Sequence, residues 1–396
     1  MTTVSDETAK VQDALKQKYL HHFNRQPVFS AYAPGRVEVL GNHTDYNEGF
    51  VLSAAINMGT FFVCSPNDTT TCRLVAGDIM EETVFDIAKP EKVAEMTWSN
   101  YVRGVIDGLG IDATLPHGFD GMFLGNIPLG AGLSSSAALE MSSALCLSAL
   151  YGLDTSDKLK LAKTGQRAEH LFAGVKCGLL DQMTSLFGAE SRLVHTDFRS
   201  LQAVTVPISS DVCLLMCNTH AKHSLTESAY NERRAHCEAA AKAFAGLLPH
   251  PVTHLRDVSS AEFEKLRNQI DPAAARRAAH VVGENTRVEI GVELLKQNRV
   301  AEFGRLMFDS HESSRHNFEN SCAELDFLVE TAGGIDGVLG ARLSGGGFGG
   351  STVVLTQKDA AKTIGDVIRK AYQKKYDTVC DIQVLLPSAG ARILTD

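Results

Sequence analysis

The 396-residue chain predicts an α+β fold, and three observations lead there. Apolar runs of strand length, such as Phe50–Ile56 and Phe119–Leu124, alternate with longer segments of helical periodicity. The two kinds of segment mix without a strict strand–helix–strand order, which disfavours a doubly wound parallel sheet. Three glycine-rich stretches, 35–49, 130–136 and 344–350, break the pattern where backbone must turn tightly or stand close to a ligand.

Residues 6–23 place Val11, Leu15, Tyr19 and Leu20 near helical spacing, which predicts a short amphipathic helix. Val28, Ser30 and Tyr32 alternate with Phe29 and Ala31 in an extended segment expected to end at Pro34-Gly35. If the strand resumes, Arg36, Glu38 and Leu40 share one face. Further strands are predicted at 50–56, 60–64, 71–75 and 119–124. After a Pro- and Gly-rich loop, Leu139, Cys146, Leu147 and Leu150 fall on one face of a helix starting near Ser136. Residues 156–174 also read as helix. Strands near 192–206 and 212–218 lead to a helix-rich half with helices at about 222–247, 272–297 and 322–332. Strand-like GVLGARLS and STVVLT flank the last glycine run.

A net charge of -9 argues against a general nucleic-acid or anionic-membrane surface. No run approaches the ~18 apolar residues that a membrane span needs. Nine scattered cysteines with no CxxC pair read as reduced thiols of a cytosolic protein.

The strongest local signal is PLGAGLSSSAALE, from Pro128. Gly130 and Gly132 let backbone approach an anion, and the helix start supplies unpaired N–H groups and a favourable dipole. This is a phosphate cradle. The plainer reading is a turn followed by a helix that Ser134 or Ser135 caps. No Gly-Lys-Ser/Thr occurs, so it is not a Walker A loop. SGGGFGG at 344–350 matches GxGxxG, yet a strand follows it where a dinucleotide fingerprint requires a helix.

GRVEVLGNHTDYNEG, 35–49, crowds Arg36, Glu38, Asn42, His43 and Asp45 between two apolar runs. His43 and Asp45, like His220 and His223, have metal-ligand spacing, but no third or fourth ligand stands nearby. The same residue types suit forked hydrogen bonds to neighbouring hydroxyls. Asp181, between Leu180 and Met183, needs a partner if it is desolvated; Arg36 is a candidate, and a helix N-cap is the plainer role.

Together these motifs resemble the galactose, homoserine, mevalonate and phosphomevalonate (GHMP) kinase superfamily, and within it the galactokinase branch. APGRVEVLGNHTDYNEGFVL is similar to the first family motif, PLGAGLSSSAALE to the phosphate loop and RLSGGGFGGSTV to the third motif. AEHLFAGVKCGLLDQM, SAYNERRAHCE and RRAAHVVGENTRV match the galactokinase branch, as does GRLMFDSHESSRHNFENSCAELD. The resemblance runs from about residue 20 to 390 and implies a two-lobed fold, residues 1–205 and 206–396, with the active site in the cleft and the last strand returning to the first lobe. It implies ATP-dependent phosphorylation of galactose at the C1 hydroxyl, giving galactose 1-phosphate as in the Leloir pathway. Alternatives are a related sugar 1-kinase for N-acetylgalactosamine, arabinose or a uronic acid, or a non-catalytic sugar sensor. Asp181 would be the catalytic carboxylate, and Arg36 would hold it ionised and stabilise the transferred phosphoryl. Asn42, His43, Asp45, Gly178 and Tyr230 would contact the sugar. Trp98 and Tyr101 would flank the adenine, and Gly130, Ala131, Gly132, Leu133, Ser134, Ser135 and Ser136 would cradle the phosphates. Ser136 and Glu169 would hold Mg²⁺. A small sugar is the implied partner, with no nucleic acid or membrane, in a cytoplasmic monomer or weak oligomer.

One departure stands out. The branch usually reads GRVNLIGEH, whereas this chain reads GRVEVLGNH. Asn42 occupies the position of a Glu that meets the sugar C6 hydroxyl, and Glu38 that of an Asn. In an extended segment the two would lie ~13 Å apart, so neither is expected to substitute for the other, and galactose binding with altered C6 tolerance is the expectation.

Overall fold

The strand beginning near Phe29 runs past the point where the sequence suggests it ends. In the computed structural model, which describes residues 6–112, 117–128, 130–222 and 226–394, β1 spans Phe29–Leu40 without a break. Pro34 and Gly35 are tolerated because partners outside a strand ladder meet them there. The Pro34 carbonyl accepts from Ser185 Oγ, and Arg36 N–H donates to the Leu133 carbonyl at 3.1 Å. A Cβ on Gly35 would stand 2.3 Å from that same carbonyl oxygen, so only glycine fits.

The chain packs as two units, one of residues 1–36, 55–190 and 388–396, the other of 37–54 and 191–387. This division differs from a single boundary at 205. β1 passes from one unit to the other at Arg36/Val37, and β2, Phe50–Pro66, does so at Ala54/Ala55. β2 replaces the two shorter strands predicted at 50–56 and 60–64. Asn57-Met58-Gly59 does not interrupt it, because Gly59 lets the Ala33 carbonyl approach within 2.3 Å of where a Cβ would be.

The first unit is built on strands ordered β12-β1-β2-β5-β3-β4, with β3 at Thr71–Ala76, β4 at Glu81–Asp86 and β5 at Phe119–Gly125. β3 runs parallel to β5 and antiparallel to β4. The closing strand β12, Arg392–Leu394, pairs with Ser30–Tyr32 of β1. Helix α1, Asp6–Phe23, buries Leu15 and Tyr19 against Tyr32, Phe61 and Val75. Helices α2 (Ser99–Leu109), α3 (Ser135–Tyr151), α4 (Lys158–Ala168) and α5 (Leu180–Phe187) complete the unit. α3 is buried nearly all round, which explains why its alanines and serines outnumber charges. α4 runs on into a wider, π-type turn at Glu169–Ala173 that ends at Gly174.

In the second unit β6 (Arg192–Asp197) pairs with Phe50–Ser53 of β2 and with β7 (Gln202–Pro207). A separate antiparallel sheet has the order β11-β8-β10-β9, with β8 at Val212–Lys222, β9 at Val338–Ser344, β10 at Gly349–Gln357 and β11 at Asp381–Leu385. Around them lie α6 (Thr226–Ala245), α7 (Ser260–Leu266) and α8 (Pro272–Lys296), with α9 (Val300–Ser313), α10 (Ala323–Gly333) and α11 (Ala361–Tyr376). α8 shows the expected start signals, Asp271 accepting from Ala274 N–H ahead of Pro272. The cysteines are all unpaired by disulfides, seven of them buried. No described helix is long and apolar enough to cross a membrane.

Candidate active site

The first unit's part of β1 reaches Arg36 beside the loop that opens α3. Arg36 Nε and Nη2 reach Asp181 Oδ1 at 2.8 and 2.7 Å, and Nη1 donates to the Gly132 carbonyl at 2.8 Å. Asp181 Oδ2 accepts from the Ser134 hydroxyl. The helix-cap readings therefore give way. Ser134 adopts a left-handed conformation (φ 56°) and makes no cap bond, since its hydroxyl is engaged by Asp181. The residue that precedes α5 is Leu179, and Asp181 lies inside its first turn. Side-chain exposure is 13% for Arg36 and 24% for Asp181, so the pair is desolvated on one side and accessible on the other.

Gly130 and Gly132 have φ of 72° and 73°, and a Cβ at either would meet no atom within 4 Å. Conformation alone, not crowding, calls for glycine here, and the loop presents an open backbone surface at the N-terminus of α3. Leu129 lies outside the described residues. At the second residue of α3, Ser136 Oγ donates to Glu169 Oε1 at 2.7 Å. Burial raises the Glu169 carboxyl above its usual range, against the Ser136 hydrogen bond and reinforced by Asp181. A carboxyl made costly to ionise in this way is a ready cation ligand.

Beside this loop lies a cavity of about 470 Å³ walled by Trp98, Tyr101, Phe123, Ser135, Ser136 and Leu139, among others. Its size falls in the usual range for small-molecule sites. Trp98 donates through Nε1 to Glu81 at 3.1 Å and packs 5.5 Å from Phe123. The structure thus brings Trp98 and Tyr101 to the same hollow as Ser135 and Ser136. Phe123 and Leu139 were missed. Leu139 could have been found, since it stands one helical turn beyond Ser135 and Ser136. Gly178 is exposed in the segment leading to α5.

In the second unit, the 41–47 segment leaves β1 through Gly41, whose φ of 94° turns the chain. A Cβ there would sit 2.3 Å from the Phe50 carbonyl. Asp45 opens a 3₁₀ turn and is half-buried. The His43 ring lies among Tyr46, Tyr230 and Phe318 at centroid distances of 5.7, 5.3 and 4.4 Å. Its Nε2 bonds the Gly346 carbonyl at 3.1 Å, which requires Nε2–H, so Nδ1 accepts from Tyr46 O–H at 2.8 Å. Burial lowers the His43 pKa to about 4, fixing this neutral tautomer. Behind the segment, buried Glu284 accepts from Gly41 and Asn42 N–H at 2.9 Å each. Burial alone would raise its pKa, but Arg287, His280 and Arg342 outweigh that and hold it well below the carboxylate range.

One expectation fails here. Glu38 and Asn42 are not ~13 Å apart; Asn42 Nδ2 donates to Glu38 Oε1 at 2.9 Å. The estimate assumed a strand through 42, and Gly41 breaks it. The metal reading also gains no support: no group of three or more His, Cys, Asp or Glu that could hold an ion occurs among the described residues. His220 pairs with Asp381 instead, and His223 lies outside the described residues.

Backbone amides gathered at a helix start lie next to a small-molecule-sized hollow and an arginine-bridged carboxylate, and the fold that carries them is that of the GHMP kinases. The family models agree: the GHMP kinases N terminal domain matches residues 100–189 and the GHMP kinases C terminal matches 292–374. The galactokinase galactose-binding signature matches residues 17–66. The galactokinase of Pasteurella multocida is 38% identical over 96% of this chain and 99% of its own length. That of Haemophilus influenzae strain PittEE is 40% identical over 94% and 97%. Lactococcus lactis galactokinase, solved with galactose, superposes with a TM-score of 0.89 at 32% identity, covering 97% of this chain and all of its own. A mevalonate kinase shares the fold at a TM-score of 0.61 and 17% identity, over 90% of this chain and 98% of its own. The chain belongs to the galactokinase family.

Proposed function

We propose that the chain transfers the γ-phosphoryl group of ATP to the C1 hydroxyl of galactose, giving galactose 1-phosphate and ADP. The observation that carries this reading is the Arg36–Asp181–Ser134 cluster at the mouth of the 130–136 loop, joined to family membership. Asp181 orients the C1 hydroxyl and accepts its proton, and the hydroxyl oxygen forms the new bond to phosphorus as the bond to the ADP oxygen breaks. Arg36, fixed by Asp181 and the Gly132 carbonyl, sets positive charge beside the transferring group. Such transfer depends on positioning and charge more than on covalent chemistry. Backbone N–H groups of 130–136 bind the phosphates, and Trp98 and Tyr101 flank the adenine.

Ser136 and Glu169 fit a magnesium ion. A single carboxylate with a hydroxyl suits Mg²⁺, which completes its shell with water and substrate phosphate oxygens rather than with an all-protein cage. When bound, Mg²⁺ neutralises charge on the β- and γ-phosphates. On the sugar, Asp45 accepts from ring hydroxyls, and Tyr230 and the neutral His43 form an aromatic wall.

Initial rates with galactose, N-acetylgalactosamine, glucose and arabinose, with the product identified by phosphorus NMR, test the assignment. Galactose is expected to give the highest kcat/KM and a C1 phosphate ester. Absence of galactose turnover, or phosphate at another carbon, would sink it.

A further inference from the structure

Asn42 sits in the middle of the segment assigned to the sugar, yet protein partners already occupy its side chain. It is 1% exposed. Nδ2 donates to Glu38 Oε1 at 2.9 Å and to the Gly345 carbonyl at 2.7 Å, which uses both amide hydrogens. Oδ1 accepts from Asn320 Nδ2 at 3.0 Å. The amide orientation is forced, because flipping it would set Oδ1 against a carboxylate and a carbonyl, two acceptors. The backbone of residue 42 is held as well: N–H by Glu284, and the carbonyl by His280 Nε2 at 3.1 Å.

Each partner in turn fixes the glycine loop. Asn320 Nδ2 also donates to the Gly346 carbonyl at 3.2 Å, and the Asn320 carbonyl accepts from Phe348 N–H. Gly347, at φ 80°, lies so close that a Cβ would stand 2.2 Å from the Asn320 carbonyl oxygen. Glu38 has a second duty. Its Oε1 faces Arg342 Nη1 at 3.0 Å, and Arg342 is a fully buried cation whose Nε and Nη2 have no partner. Glu38 therefore neutralises Arg342 with the same oxygen that receives Asn42.

We propose that Asn42 is a positioning residue rather than a sugar ligand. Through Gly345, and through the Glu38–Arg342 ion pair, it locks loop 345–348 to the 41–47 segment, and its side chain gives the sugar C6 hydroxyl no hydrogen bond. The sugar half of this inference rests on the galactose reading above; the lock does not.

The experiment has two arms. In the first, kcat and KM for galactose and 6-deoxygalactose are measured for wild type, Asn42→Ala and the similarly sized Asn42→Asp, well below their unfolding temperatures. KM is expected to rise about tenfold for both sugars in parallel as the loop shifts, with kcat retained and the preference between the sugars unchanged. A fall of about tenfold or more in the preference for galactose, at unchanged KM for 6-deoxygalactose, marks a direct C6 contact and overturns the proposal. In the second arm, unfolding temperatures of Glu38→Asn, Asn42→Glu and the double swap are compared. Each single variant is expected to lose stability, by stranding Arg342 or by setting two carboxylates together. The swap, which keeps one carboxylate and one amide, is expected to recover most of the loss; losses that simply add overturn the lock. This arm needs no turnover, so a wild type inactive on galactose removes the functional assignment while the lock is still decided.

Discussion

The 130–136 loop and the 41–47 segment are both tight, glycine-punctuated turns, but they are held in opposite ways. The first leaves its surface open. Gly130 and Gly132 face nothing within 4 Å, and its side-chain partners are few and partly accessible. The second is mostly buried and tied to distant residues, with Glu284, His280, Asn320 and Gly346 all bonded to it. An open loop suits a ligand whose charge backbone amides can meet in many small adjustments. A locked segment suits a ligand told apart by where a few hydroxyls point, since misplaced donors there cannot be rescued by water.

The sharpest way to break the contrast is at the open side. Asp181→Ala is expected to lower kcat by about 10³–10⁴-fold while ATP still binds, measured by single-turnover assay and calorimetry. The locked side should answer in stability instead. Glu38→Gln takes from the buried Arg342 the carboxylate that is hydrogen-bonded to it and is expected to cost about 3–5 kcal/mol in chemical denaturation. Acid should act on the same side. His43 and His280 are lowered by burial to about 4 and about 3. Each is neutral when folded, so the unfolded chain binds more protons below its pKa of about 6.5. Stability is present above that value and lost as pH falls towards 4. From pH 7 to 5 each imidazole is expected to remove about 2 kcal/mol, and His280→Gln should flatten the pH dependence of Tm by that share. The smallest effect is expected at the adenine hollow: Trp98→Ala should raise KM for ATP by a factor corresponding to about 1 kcal/mol, with kcat for galactose kept.

The open side was largely legible in the sequence, and the locked side was not. Gly130, Gly132 and three serines before a helical run signal an anion site locally, whereas Arg36, Trp98, Tyr101, Glu169 and Asp181 come to it from other parts of the chain. Even there, the functions of Ser134 and Asp181 were mistaken for caps in the plainer reading, because nothing local reveals that one bonds the other. The locked segment depends on residues more than two hundred positions away: Glu284, Asn320, Arg342 and Gly345. A single sequence carries no signal for such pairings. The one local inference made there, the separation of Glu38 and Asn42, failed at a single backbone angle, that of Gly41. Strand and helix types were mostly legible. What was missed were whole elements for which no expectation was drawn, β4, α2, α9 and α11 among them, and joins such as Asn57-Met58-Gly59, where buried runs on either side carry a strand across residues that propensity alone would break.

The order in which the two units recur along the chain has a consequence for synthesis. Residues 1–36 and 55–190 emerge first, yet the strand that covers the outer edge of β1, Arg392–Leu394, is made only after the whole of 191–387. At about 5–20 residues per second, Ser30–Tyr32 waits on the order of ten seconds or more for its partner. Until then that edge of β1 lacks the strand that covers it in the folded structure, an exposed template for pairing with another chain.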